Sequence, residues 1–134
     1  MEQPVSRTKN RWPILLRAVF FLSLTLLVAC GKKNSLHIGL TISPNPPRMI
    51  KPVTFTLHIT GANGQAVTNA DVTGTLTMKS MDMGKTELKF TSKGNGDYEA
   101  SLKEVDMSGE WNLAVDAAQG AAHTKKAFDF TVGD

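Results

Sequence analysis

Apolar and polar residues alternate at period two along most of this chain, and that alternation constrains its fold more than any other feature. Leu36, Ile38, Leu40 and Ile42 alternate with His37, Gly39, Thr41 and Ser43; Val53, Phe55, Leu57 and Ile59 alternate with Thr54, Thr56, His58 and Thr60. Successive side chains of a strand point to opposite faces, so such a segment buries one face and wets the other, as in an antiparallel sheet with one solvated side. The pattern recurs over Asp71 to Lys79, with Val72, Gly74, Leu76 and Met78 in phase. It recurs again over Thr86 to Ser92 with Leu88 and Phe90, and over Asp97 to Val105 with Tyr98, Ala100 and Leu102. Trp111, Leu113 and Val115 define a sixth strand, and Phe128, Phe130 and Val132 a seventh.

Turn chemistry separates these runs. Pro44-Asn45-Pro46-Pro47 cannot supply the amide protons a ladder needs, Asn63-Gly64 and Gly94-Asn95-Gly96 favour positive φ, and Gly120 breaks the run after Val115. Seven short strands with turns between them, and no helical period among them, predict an all-β, immunoglobulin-like antiparallel β-sandwich. About 100 residues suffice for one such core.

The sandwich is expected over residues 36–134, because the segment before it has another character. Arg7, Lys9, Arg11 and Arg17 precede an uncharged run from Ala18 to Ala29, twelve residues long. That is short of the roughly 20 needed to span a bilayer and suits a helical secretion signal over residues 1–29. Leu27-Val28-Ala29-Cys30 resembles the lipobox of bacterial lipoproteins, in which the Cys is acylated after cleavage. The other reading, an uncleaved anchor, would draw Arg17 towards the membrane at about 2.5–3.5 kcal/mol. Cys30 is the only cysteine, so no disulfide can form within the domain, and lipidation accounts for an unpaired thiol in an exported chain. Residues 30–35 then form a polar tether from the lipidated Cys30.

Removing the signal changes the charge balance. Residues 1–29 hold four basic residues and one acidic, so the chain's 15 Lys+Arg and 12 Asp+Glu become eleven of each from Cys30 onwards. The basic character thus belongs to the leader and provides no argument for nucleic acid. No Ser or Cys sits in a pattern that would activate it, and Gly94-Asn95-Gly96 joins two strands and precedes no helix, so an enzyme is not expected.

Three thioethers lie within six residues at Met78-Lys79-Ser80-Met81-Asp82-Met83, followed by Gly84, and Met107-Ser108-Gly109 and Trp111 come later in the chain. Neutral, polarizable sulfur favours monovalent copper over zinc, magnesium or calcium. Met78, Met81, Met83 and Met107 are therefore candidate ligands, with His123 as a further donor from the start of the last strand. His37 and His58 fall on outward faces and read as surface imidazoles. The competing reading is packing: Met78 and Met107 against Trp111, with Met81 and Met83 covering the end of the sandwich.

Thr54-Phe55-Thr56-Leu57, Gly64-Gln65-Ala66-Val67 leading to Ala70-Asp71-Val72, the Met78, Met81 and Met83 cluster, Gly96-Asp97-Tyr98-Glu99-Ala100 and Met107-Ser108-Gly109-Glu110-Trp111 occur in an order and spacing that resembles the YtkA-like family. That family comprises small exported β-sandwich domains similar to the periplasmic part of FixH. The resemblance implies a role in copper supply or tolerance in the cell envelope, FixH being associated with assembly of a copper-containing terminal oxidase. Family members often carry Pro after the first Met of the cluster, where this chain has Lys79.

The expectation is a lipoprotein on the periplasmic face of the envelope that binds or delivers copper to an oxidase, efflux or resistance protein. Gly31 after the Cys, in place of an Asp retention signal, favours the outer membrane. The alternative is a metal-free protein–protein interaction domain that docks through its Met-rich end. Replacing Cys30 by Ser should move the protein from the membrane fraction to the soluble one on cell fractionation; continued membrane association would count against acylation.

Overall fold

The computed structural model describes residues 35–134; the expected signal over residues 1–29, Cys30 and all of the tether except Ser35 lie outside them. Eight strands follow in order: β1 (Leu36–Ser43), β2 (Val53–Gly61), β3 (Asp71–Met78), β4 (Thr86–Lys89), β5 (Thr91–Gly94), β6 (Asp97–Leu102), β7 (Gly109–Gln119) and β8 (Ala122–Val132). They form two four-stranded antiparallel sheets, ordered β1-β2-β6-β5 and β4-β3-β7-β8. Read in chain order as A, B, C, C′, D, E, F and G, this is the ABED sheet of an immunoglobulin-like sandwich facing a GFC sheet extended by one strand.

The alternation places the core as expected. Phe55, Leu57, Ile59 and Tyr98 on one sheet, and Val72, Leu76, Leu113 and Val115 on the other, are almost fully buried. Among the described residues no polar or charged side chain is buried apart from the amphipathic Tyr98 and Trp111, and no buried side-chain N or O lacks a partner. The Tyr98 hydroxyl donates to the Val67 carbonyl (2.8 Å) and accepts from the Ala70 amide (2.9 Å), which ties the β2–β3 connection to the core.

Two strands differ from the expectation. Thr86 to Ser92 reads as one strand in sequence but divides at Phe90, where the chain leaves the sheet of β3 and joins that of β6, raising the count from seven to eight. The Phe90 amide still donates to the Val72 carbonyl (3.2 Å), one step beyond the Thr73–Lys89 pair of the β3–β4 ladder, and its ring packs over Gly74. A Cβ at Gly74 would lie 2.9 Å from Phe90 Cε2 and 3.0 Å from Leu113 Cδ1, so this inward glycine makes room for the crossing ring. Asp97 to Val105 ends as a strand at Leu102. Val105 is buried from the loop that follows, where its carbonyl accepts from the Ile50 amide (3.0 Å).

The sheet edges are short or covered. β4 and β5 have four residues each and carry Glu87, Lys89 and Lys93, which oppose edge-to-edge pairing. β1 and β8 meet where the Leu36 amide donates to Thr124 Oγ1 (3.2 Å) and Lys126 Nζ donates to the Ile38 carbonyl (2.7 Å). Beyond that point they part around an open groove of about 590 Å³ lined by Leu40, Ile42, Phe128 and Phe130, which leaves these four half-buried. Replacing Tyr98 by Phe leaves one carbonyl and one amide without their partner, a loss of about 1–3 kcal/mol. Calorimetry should show the melting temperature lowered by roughly 5 °C or more.

Candidate metal centre

Pairing between β3 and β7 decides where the thioethers go. Met78 lies opposite Trp111, and the ladder extends one step further, the Lys79 amide donating to the Glu110 carbonyl (2.9 Å). Past Lys79 the chain has no strand partner and turns on itself. The Met83 amide donates to the Met81 carbonyl (3.1 Å), the Gly84 amide donates to Asp82 Oδ1 (3.3 Å), and Gly84 takes a φ of +80°. A turn closed by its own short-range hydrogen bonds packs none of its side chains on the sandwich, and every residue from Ser80 to Glu87 is exposed. Met81 and Met83 are 47% and 56% exposed, the most exposed large apolar side chains of the described residues after Ile50.

The other two thioethers point into the sandwich end. Met78 and Met107 are half-buried against the core, and Trp111 Nε1 donates to the Met107 carbonyl (3.2 Å). The Met78 methyl occupies the place where a side chain at position 109 would begin: a Cβ on Gly109, whose φ is +129°, would lie 2.9 Å from it. Met78 and Met81 also line a shallow hollow of about 300 Å³ together with Thr77, Lys79, Ser80, Asp82, Gly84 and Lys85. Met83 and Met107 flank this region without lining the hollow. Two thioethers thus face solvent, and a third, half-buried Met78, lines the same hollow as Met81.

His123 is not brought to the methionines. It pairs with Ala118 on β7, whereas Met78 is level with Trp111; seven residues of strand separate them, roughly 23 Å at about 3.3 Å per residue. Because β8 returns antiparallel from the hairpin, its first residues sit at the opposite end of the sheet. There His123 Nε2 bonds Asp116 (2.5 Å), which Lys125 also contacts (3.3 Å). Partial burial acts to raise the Asp116 carboxyl, but the hydrogen bonds to His123 and Lys125 outweigh it and hold the group low. His37 and His58 do share the outer face of β1 and β2 on diagonal positions, and His58 Nδ1 is bonded to Asp97 (2.7 Å). Among the described residues no three His, Cys, Asp or Glu side chains gather closely enough to hold a metal ion.

Polar neighbours of the methionine rim were not legible as a group in the sequence. Lys79 Nζ reaches Asp129 Oδ2 (3.0 Å) and Glu110 Oε2 (3.6 Å), and Asn112 Nδ2 donates to Asp129 Oδ1 (2.6 Å). Counting back from the hairpin at Gly120 would have paired Asn112 with Asp129; nothing in the sequence joins Lys79 to them.

A model of the YtkA-like family matches residues 32–116. No curated protein matches the chain. Among solved structures, a DUF4426 family protein from Pseudomonas aeruginosa PAO1 superposes with a TM-score of 0.53 at 13% identity, covering 73% of this chain and 88% of that one. A computationally redesigned β-sandwich protein gives 0.51 at 12% identity over 75% and 95% of the two chains. The chitinase ChiW from Paenibacillus sp. str. FPU-7, a cell-surface-expressed multi-modular enzyme, gives 0.50 at 12% identity over 76% of this chain and 9% of its own. At such identities the likeness is one of fold.

The ion pair at Lys79 is open to titration. The Lys79 ammonium is raised by its hydrogen bond to Asp129 and by the charges of Asp129 and Glu110, while Asp129 is held low by Asn112 and then by Lys79. A depressed carboxyl contributes stability that is present above its unfolded value and lost as pH falls through the folded one. Asp129→Asn should therefore melt below the natural protein near neutral pH, and the gap should narrow as acid protonates the folded-state carboxyl, which lies below the ordinary Asp range. A gap independent of pH would show that the pair contributes through packing alone.

Proposed function

The chain belongs to the YtkA-like family, and from that premise we propose that it is an envelope-anchored binding module that holds monovalent copper on its methionine rim. The observation that carries this reading is a solvent-open hollow lined by exposed Met81 and half-buried Met78, with exposed Met83 two residues further along the same turn. An apolar side chain left in water contributes little to folding, whereas an exposed thioether retains its lone pairs for a soft cation. Met81 and Met83 supply the accessible donors and Met78 the fixed one. Met107 lies on the adjoining turn, its backbone held by Trp111. When bound, the ion would be stabilised as the reduced, monovalent form that thioethers prefer.

Acylated Cys30 would hold the domain at the membrane on the periplasmic face, the outer membrane being favoured by Gly31. Copper would pass to or from an oxidase, efflux or resistance protein, in copper homeostasis or oxidase assembly. An exposed pair of ligands suits such exchange, because an incoming donor can replace one sulfur at a time.

The competing reading, a metal-free interaction domain, uses the same exposed surface, since adaptable Met side chains also serve at interfaces. Titration of the reduced protein with monovalent copper against a competing chelator separates the two. The Met81→Leu, Met83→Leu double variant is expected to lose about tenfold or more in affinity, with the melting temperature changed by less than about 2 °C because neither side chain packs on the core. Absence of competitive binding in the natural protein would overturn the copper reading and leave the docking one.

A further inference from the structure

We infer that Met81 and Met83 form a reversible oxidation site, at which a peroxide converts thioether to sulfoxide and a dithiol-dependent reductase restores it. The modification itself follows from placement in the fold; its effect on copper rests on the function proposed above.

Five methionines lie in the described residues, and they divide sharply. Met49, Met78 and Met107 are half-buried against the core cluster, while Met81 and Met83 are about half exposed and pack on none of it. Oxygen transfer needs approach of the oxidant to sulfur, so susceptibility follows exposure. The consequences differ as well. A sulfoxide at Met78 would force a polar oxygen into the space beside Gly109, and one at Met107 would bring a polar oxygen to a side chain packed on the core cluster. At Met81 and Met83 the new oxygen meets water. The hydrogen bonds that shape the turn, Met83 to Met81 and Gly84 to Asp82, involve backbone and carboxylate atoms and do not use sulfur. Oxidation there changes the chemistry of the surface and leaves the fold as it was.

The step balances without any group on the protein. One oxygen of hydrogen peroxide is transferred to the sulfur lone pair, the sulfur loses two electrons to form S=O, the O–O bond breaks and the remainder leaves as water. In reversal, two thiols of the reductase supply two electrons and two protons, the sulfoxide oxygen leaves as water and a disulfide forms on the reductase. A sulfoxide exposes a hard oxygen where a soft sulfur donor stood, so a monovalent copper ion loses two ligands at once.

The full chain in detergent is treated with limiting hydrogen peroxide, and sites are mapped by peptide mass spectrometry. Met81 and Met83 should gain oxygen about tenfold faster or more than Met49, Met78 and Met107. The doubly oxidised protein should keep its melting temperature, and methionine sulfoxide reductases of both epimer specificities should return it to its original mass. In the Met81→Leu, Met83→Leu variant the fast phase of oxidation should vanish. Equal rates at all five sites, a lowered melting temperature after the first two oxygens, or resistance to the reductases would each overturn the inference. The copper arm is read separately: affinity for monovalent copper should fall about tenfold or more on oxidation and recover on reduction. No copper binding before oxidation would sink the proposed function while the mass map still decides the oxidation site; unchanged affinity after oxidation would sink the coupling between them.

Discussion

Face-to-face burial of two apolar sheet surfaces is the constraint on which the rest of the molecule depends. Phe55, Leu57 and Ile59 of β2 and Tyr98 of β6 meet Val72 and Leu76 of β3 and Leu113 and Val115 of β7, all nearly without solvent contact. Each such aliphatic side chain contributes about 1.5–3 kcal/mol by leaving water, which makes the register of the central strands strongly specified. A slip by one residue would exchange these for Thr56, His58, Thr73 and Thr75. Where a polar atom does enter the core it is bonded: the Tyr98 hydroxyl on both sides, and the Trp111 indole to the Met107 carbonyl.

The methionine rim follows from where that constraint ends. β3 and β7 remain paired through Met78–Trp111, and the backbone bond from Lys79 to Glu110 closes the ladder. Beyond it the chain is released from the alternation, and the turn from Ser80 to Lys85 satisfies part of its backbone locally. Two thioethers therefore work in the packing, and two stand in solvent at the same end. This division separates stability from surface chemistry, because a change at Met81 or Met83 touches no core contact. Lys79 and Asp129 hold the root of the turn by charge and hydrogen bonding at a solvent-exposed site, where such pairs contribute modestly.

The same sandwich supports unrelated proteins, a redesigned β-sandwich and a module of a surface chitinase among those this chain resembles in fold. What is particular to this chain is therefore carried at the ends of its strands, and the two ends differ in kind. One presents sulfur beside a Lys–Asp pair; the other presents His123 with Asp116 and Lys125. Their separation along β7 prevents the imidazole and the thioethers from acting on one ion.

Local alternation and turn residues by themselves determined the strands, the faces they bury and the antiparallel sandwich, because period two and φ-permissive glycines act within a few residues. The clustering of Met78, Met81 and Met83 was equally legible, being local in the chain. Only the tertiary structure decided that Thr86 to Ser92 divides at Phe90, whose ring takes the space left by the missing side chain of Gly74 on a neighbouring strand. It also decided that His123 belongs to the other end, that Met78 and Met107 pack while Met81 and Met83 do not, and that Lys79 meets Asp129. Those outcomes depend on which strands become neighbours, and that is set by long-range burial which no short window of sequence contains.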